Sequence, residues 1–97
     1  MIDDDLLRTI RGALPALKVR YGVLHLDLFG SFSRGEAGPE SDVDLLVTYR
    51  DEPTFDSYLG LKEDLESLLN RPVDLVTLHG LKARIRDAVQ AEVYRIG

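Results

Sequence analysis

Leu6, Leu7, Ile10, Leu14 and Leu17 recur at spacings of three and four, which lays them along one face of a helix. Asp3, Asp4 and Asp5 stand just ahead of that stripe. Acids there accept from free backbone N–H groups and suit the positive end of the helix dipole. Pro15 lacks an N–H and crowds the turn before it, so a kink or a division of this helix is predicted. Gly22 marks the exit. The period then changes to two. Leu24, Leu26 and Leu28 alternate with His25, Asp27 and Phe29 as one face of a strand, which Gly30-Ser31 ends. Residues 31–37 read as a short helical turn and Gly38-Pro39 as a loop. Val43, Leu45 and Val47 repeat the alternation in a second strand. Thr54 to Leu69 reads as an amphipathic helix with Phe55, Leu59, Leu65, Leu68 and Leu69 inward. Arg71-Pro72 opens a third strand, Val73 to Leu78, and Gly80 separates it from a last helix, Leu81 to Arg95. Leu81, Ile85, Ala88 and Val89 share one face of that helix. The predicted class is α/β (α+β): a small mixed three-stranded sheet with helices packed mainly on one face.

Length changes this picture only by confining it. With 97 residues, the chain reads as one domain, 1–97. A chain of this size buries roughly 60–70% of its unfolded surface, so the core is thin. No apolar run approaches the ~20 residues of a membrane span. The start, Met1-Ile2-Asp3-Asp4-Asp5, lacks the basic and apolar regions of a signal peptide. There is no cysteine, which removes disulfides, thiolate metal sites and thiol nucleophiles together. A cytoplasmic protein is expected. The formal net charge of −5 disfavours a nucleic-acid polymer as partner, since phosphate contacts call for a basic excess. A single nucleotide accompanied by Mg²⁺ is not disfavoured.

Candidate chemistry gathers on the second strand. Asp42 and Asp44 are two residues apart, so strand alternation puts both on one face with Cα atoms roughly 7 Å apart. Two carboxylates so placed can lean together and bridge cations ~3.5–4 Å apart, the spacing of two-metal sites. Mg²⁺ suits them, because it takes a few carboxylates and completes its shell with water and phosphate oxygens. An isolated Asp-x-Asp is also ordinary on an exposed strand. Two further features give this one weight. Gly30-Ser31 ends the preceding strand at a turn, where backbone N–H groups and a hydroxyl suit a phosphate and glycine lets it approach. Asp74 lies within the apolar run Val73 to Val76, where an acid is costly unless it is paired or binds a cation. If the third strand lies beside the second, Asp74 completes a three-carboxylate cluster.

Gly30-Ser31, ten intervening residues and Asp42-Val43-Asp44 together resemble the signature of the minimal nucleotidyltransferases of the DNA polymerase β superfamily. The flanking text, Leu28 to Ala37 and Ser41 to Val47, is similar almost residue by residue, and Pro72 to Val76 resembles the family's third-acid strand. The resemblance implies a polymerase β palm-like fold and a Mg²⁺-dependent transfer of AMP from ATP to an acceptor hydroxyl. It implies that Asp42, Asp44 and Asp74 are catalytic and hold two Mg²⁺ ions. It further implies that Gly30 and Ser31 bind the nucleotide; Ser33 and Arg34 are further nucleotide-binding candidates in the same turn, with a solvated turn residue as the plainer reading of each. Small domains of this family commonly pair with HEPN-domain ribonuclease toxins as antitoxins that adenylylate a tyrosine of the toxin. A hetero-oligomer with such a toxin is therefore implied. The chain departs from larger relatives in lacking a second domain to grip a base or primer, which puts polymerase and antibiotic-modifying activities in doubt.

Other polar residues have plainer readings. Asp27 is expected to pair with a nearby Arg. Lys62, Glu36 and Glu40 read as surface charges, the Lys82-Arg84-Arg86 run as a solvated helix face, and Tyr94 as packing in the last helix. His25 and His79 are too isolated to gather a metal. Arg20 and His25 match the Arg-x4-His spacing of HEPN ribonucleases, but they straddle a glycine at a helix–strand junction. The alternative to an enzyme is a binding module that neutralises a partner protein by occlusion. Transfer to a small molecule or an RNA end is disfavoured by charge and size.

Overall fold

In the computed structural model the described residues are 4–30, 42–80, 87 and 93–97. The leucine stripe forms helix α1, Asp4–Tyr21, with Leu6, Leu7, Ile10, Leu14 and Leu17 all buried. Pro15 does not divide it; the residue lies on the exposed side of a continuous 18-residue helix. Gly22 turns the chain at φ +71° while its N–H bonds the Lys18 carbonyl at 3.0 Å.

Strand β1, Val23–Phe29, then pairs antiparallel with β2, Val43–Tyr49. Its register slips between Val23 and His25, so one extra residue is accommodated. As a result Val23, Leu26 and Leu28 point inward at 0% exposure, while Leu24 is turned outward at 40%. The predicted face of Leu24, Leu26 and Leu28 is corrected by that bulge. Helix α2, Phe55–Leu69, is capped by Thr54, whose hydroxyl accepts the Ser57 N–H at 3.0 Å. It closes on Asn70 in the left-handed conformation. Its buried stripe is Leu61 and Leu65, flanked by Tyr58 and Leu69. Phe55 and Leu68, predicted inward, are exposed. Phe55 is the first helical residue, and helical side chains tilt towards the N-terminus, so its ring projects past the core.

The chain returns as β3, Val73–Thr77, parallel to β2, followed by a short 3-10 turn, Leu78–Gly80. A fourth strand, β4, Tyr94–Arg95, pairs antiparallel with β1 and gives the sheet order β3-β2-β1-β4. The predicted three-stranded sheet thus has four strands among the described residues. Tyr94 and Arg95 form a strand rather than the end of a last helix, because the β1 edge offers them backbone partners. Most of that predicted helix, like the predicted turn and loop over 31–39, lies outside the described residues; Asp87 is helical.

Helices α1 and α2 cover one face of the sheet, where Val43, Leu45, Val47, Val73 and Leu75 complete the main core. The other face carries Asp27, Phe29, Asp44, Leu46, Asp74 and Val76, as alternation and register require. Asp27 is 2% exposed and accepts from Arg95 Nε at 3.0 Å, the pairing expected from the sequence. At the far end Arg20 and Tyr21 both bond Asp64, tying α1 to α2. Arg20 on its helix and His25 on its strand do not share one element, as read. No described helix is long and apolar enough to cross a membrane.

Leu61→Ala should cost about 2–5 kcal/mol in chemical denaturation, against about 0.5 kcal/mol or less for Phe55→Ala. A second expectation concerns Tyr49, whose buried hydroxyl has no hydrogen-bond partner among the described residues. Burial pushes its ionisation up to about 12. An unfolded tyrosine ionises near pH ~10, so above that pH the unfolded chain loses a proton the folded protein keeps. Stability should therefore fall between pH ~10 and about 12. Denaturation midpoints across that window should fall less for Tyr49→Phe, which at pH 7 should be neutral or stabilising.

Candidate active site

Three chain segments meet at one end of the sheet: the exit of β1, the entry of β2 and the entry of β3. Helix α2 carries the chain back across the sheet, so β3 runs parallel to β2 and both strands enter from the same side. Val43 pairs with Val73, and its N–H bonds the Pro72 carbonyl at 3.0 Å. That register sets Asp44 directly beside Asp74. Neighbouring strands lie about 4.8 Å apart, so the two carboxylates rise side by side from the face opposite the helices. Phe29 lies on the other flank of Asp44, immediately before Gly30.

Gly30 is required here by two separate constraints. Its φ is +72°, a conformation L side chains rarely adopt. A Cβ at this position would stand 3.0 Å from Cγ and 3.2 Å from Cβ of Asp44. The glycine therefore sits directly against the Asp44 carboxylate, and any side chain would displace it. Gly30 of the Gly-Ser pair and Asp44 of the Asp-x-Asp pair are thus in direct contact.

Asp42 lies one residue ahead of β2 rather than within it, and it is exposed. Asp44 is half-buried and Asp74 exposed. The exposure of Asp74 corrects the reasoning that singled it out: it is not an acid buried in an apolar run, because β3 is apolar on one face only. Its register beside Asp44 replaces that argument. Ser31, Ser33 and Arg34 lie outside the described residues.

Among the described residues, no three His, Asp or Glu side chains are gathered closely enough to hold a metal ion. What the fold supplies is the backbone placement of Asp44 and Asp74 and the adjacency of Asp42. The donors are all carboxylate oxygens, hard ligands that suit a small divalent cation keeping water and phosphate oxygens in its shell. A cleft of about 350 Å³ lined by Arg50, Asp51, Glu52 and His79 lies at the opposite end, where β2 and β3 finish. The acids are not in it.

Two residues next to this site escaped the sequence reading. Tyr58 donates its hydroxyl to the Leu75 carbonyl at 2.6 Å, and Glu66 accepts the Val73 N–H at 2.9 Å. Both flank the buried stripe of α2, and polar groups bordering such a stripe were the available signal.

The nucleotidyltransferase domain family matches this chain over residues 10–95. A relative from Thermococcus cleftensis, named protein adenylyltransferase MntA, is 44% identical over 77 residues, covering 79% of this chain and 78% of its own. A solved structure provisionally named a minimal nucleotidyltransferase superposes with TM-score 0.82 at 40% identity, over 96% of this chain and 95% of its own. A crystal structure described as a toxin–antitoxin with AMP-PNP matches with TM-score 0.75 at 25% identity, over 90% and 72% of the two chains.

Gly22→Ala and Gly30→Ala provide a paired test, since both glycines have positive φ but only Gly30 has a close neighbour. Each should lose about 1–2 kcal/mol of stability from the left-handed backbone. Only Gly30→Ala should shift the Asp44 side-chain carboxyl signal in NMR.

Proposed function

The chain belongs to the nucleotidyltransferase domain family, and on that premise we propose that it moves AMP from ATP onto a hydroxyl of a partner protein. The acceptor in this reading is a tyrosine of a HEPN-domain ribonuclease toxin, which the transfer inactivates. One observation carries the proposal: Asp44 stands in register beside Asp74 and against Gly30, so two carboxylates and the glycine of the Gly-Ser pair share one rim. The name of the Thermococcus cleftensis relative supports adenylyl as the group moved and a protein as its acceptor. The toxin–antitoxin likeness supports the kind of partner.

Each residue has a distinct task in this reading. Gly30 and Ser31 hold the β- and γ-phosphates against backbone N–H groups, with Ser33 and Arg34 assisting. Asp42 and Asp44 would hold two Mg²⁺ ions, and Asp74 one of them. Those ions supply neutralisation of the charge that builds on the α-phosphate and on the departing pyrophosphate. The tyrosine oxygen attacks the α-phosphorus, its bond to the bridging oxygen of the β-phosphate breaks, and pyrophosphate leaves. Asp74 draws the hydroxyl proton and orients the attacking oxygen. Because the acids lie on the sheet face away from α1 and α2, the acceptor reaches them without displacing the core.

Incubation with labelled ATP, Mg²⁺ and the cognate toxin should label the toxin, read by gel autoradiography. Asp42→Asn combined with Asp44→Asn should lower labelling at least 10³-fold, about 4 kcal/mol of transition-state stabilisation. Undiminished labelling by the double variant would sink the site assignment. Loss of labelling with full protection of cells from the toxin would favour neutralisation by occlusion.

A further inference from the structure

We propose that Tyr58 and Glu66 are positioning residues that fix Asp74 from the outer edge of the sheet. The inference rests on the reading of Asp74 as a metal ligand. Among the described residues, strand β3 lies at the edge of the sheet and pairs with β2 alone. In a parallel ladder successive residues point their backbone groups alternately to the two sides. The Val43 N–H bonds Pro72, so residues 72, 74 and 76 face β2. Val73 and Leu75 then face outward, where an edge strand normally has no protein partner.

Here both outward positions are occupied by side chains of α2. Glu66 accepts the Val73 N–H at 2.9 Å, and the Tyr58 hydroxyl donates to the Leu75 carbonyl at 2.6 Å. Residues 73 and 75 bracket Asp74, so the strand is tied outward immediately before and after it and inward at it. Asp74 itself is exposed. Its placement therefore depends chiefly on the backbone that carries it. An edge strand held on one side frays readily, and a carboxylate on it would wander by the fraction of an ångström that metal ligation does not tolerate. Tyr58 and Glu66 are 8 positions apart on the helix, about two turns, and so reach the two ends of this short segment together.

The test measures metal binding rather than turnover. Mn²⁺ is titrated into the protein with a non-hydrolysable ATP analogue present, and free Mn²⁺ is read by electron paramagnetic resonance. Tyr58→Phe and Glu66→Leu should each weaken Mn²⁺ binding about tenfold, the lower range for loss of a group that orients a ligand. Glu66→Gln keeps an acceptor oxygen and should bind Mn²⁺ as the unaltered protein does. In an Asp74→Asn background, Tyr58→Phe should add no further loss. Amide exchange at Val73 should quicken in Glu66→Leu and not in Glu66→Gln, which reports on the strand without metal. If Asp74→Asn leaves Mn²⁺ binding unchanged, the reading of Asp74 as a ligand fails. If Asp74→Asn weakens binding while Tyr58→Phe and Glu66→Leu do not, the positioning role fails and the proposed function stands. Equal losses in both backgrounds would likewise overturn it, since the effect would then be general to the fold.

Discussion

The parallel pairing of β2 with β3 is the constraint from which the rest of the structure follows. A parallel pair needs a crossover, and α2 is that crossover. Once α2 is laid across the sheet, its Leu61 and Leu65 close the core over Val43, Leu45, Val73 and Leu75. The same register that stacks those side chains inward puts Asp44 beside Asp74 on the opposite face. A slip of one residue would send the acids into the core and the valines into water. Core packing and site geometry are therefore two faces of one pairing, and burial of the apolar face holds the acids in place.

This division of the sheet also explains how a thin core tolerates so many charges near it. The acids of the site carry no burial cost comparable to that of Asp27, which lies 2% exposed on the same face and is matched by Arg95 across β1 and β4. The short β4 thus adds a charge partner as well as a strand. Gly30 does the reverse. Its lack of a side chain creates the space in which the Asp44 carboxylate stands. Asp44, Asp74 and Gly30 are gathered at the one rim where β1 leaves and β2 and β3 enter.

The regular elements were legible because their signals are local. The α1 stripe and the alternation in β2 each lie within about a dozen residues, where periodicity acts directly, and the motif from Gly30 to Asp44 is legible through its family resemblance. Misreadings arose where another segment intervened. Leu24 alternates faultlessly on paper, and the β-bulge that turns it outward exists only because β2 sets the register. Phe55 fits the apolar period of α2 but projects beyond the sheet. Tyr94 and Arg95 continue a helical pattern until the open edge of β1 offers them hydrogen bonds.

What the amino-acid sequence by itself determined is the chemistry available: three aspartates, a Gly-Ser turn, no thiols and an acidic surface. It also determined the strand–helix–strand order that makes a parallel pair necessary. Tertiary structure alone decided that Asp74 stands next to Asp44, that Gly30 touches that carboxylate, and that Tyr58 and Glu66 reach the edge of β3. The reason is physical. Residue type and period are carried along the chain, whereas adjacency between residues 30, 44 and 74 depends on strand register, which is set when the apolar faces of distant segments are buried together.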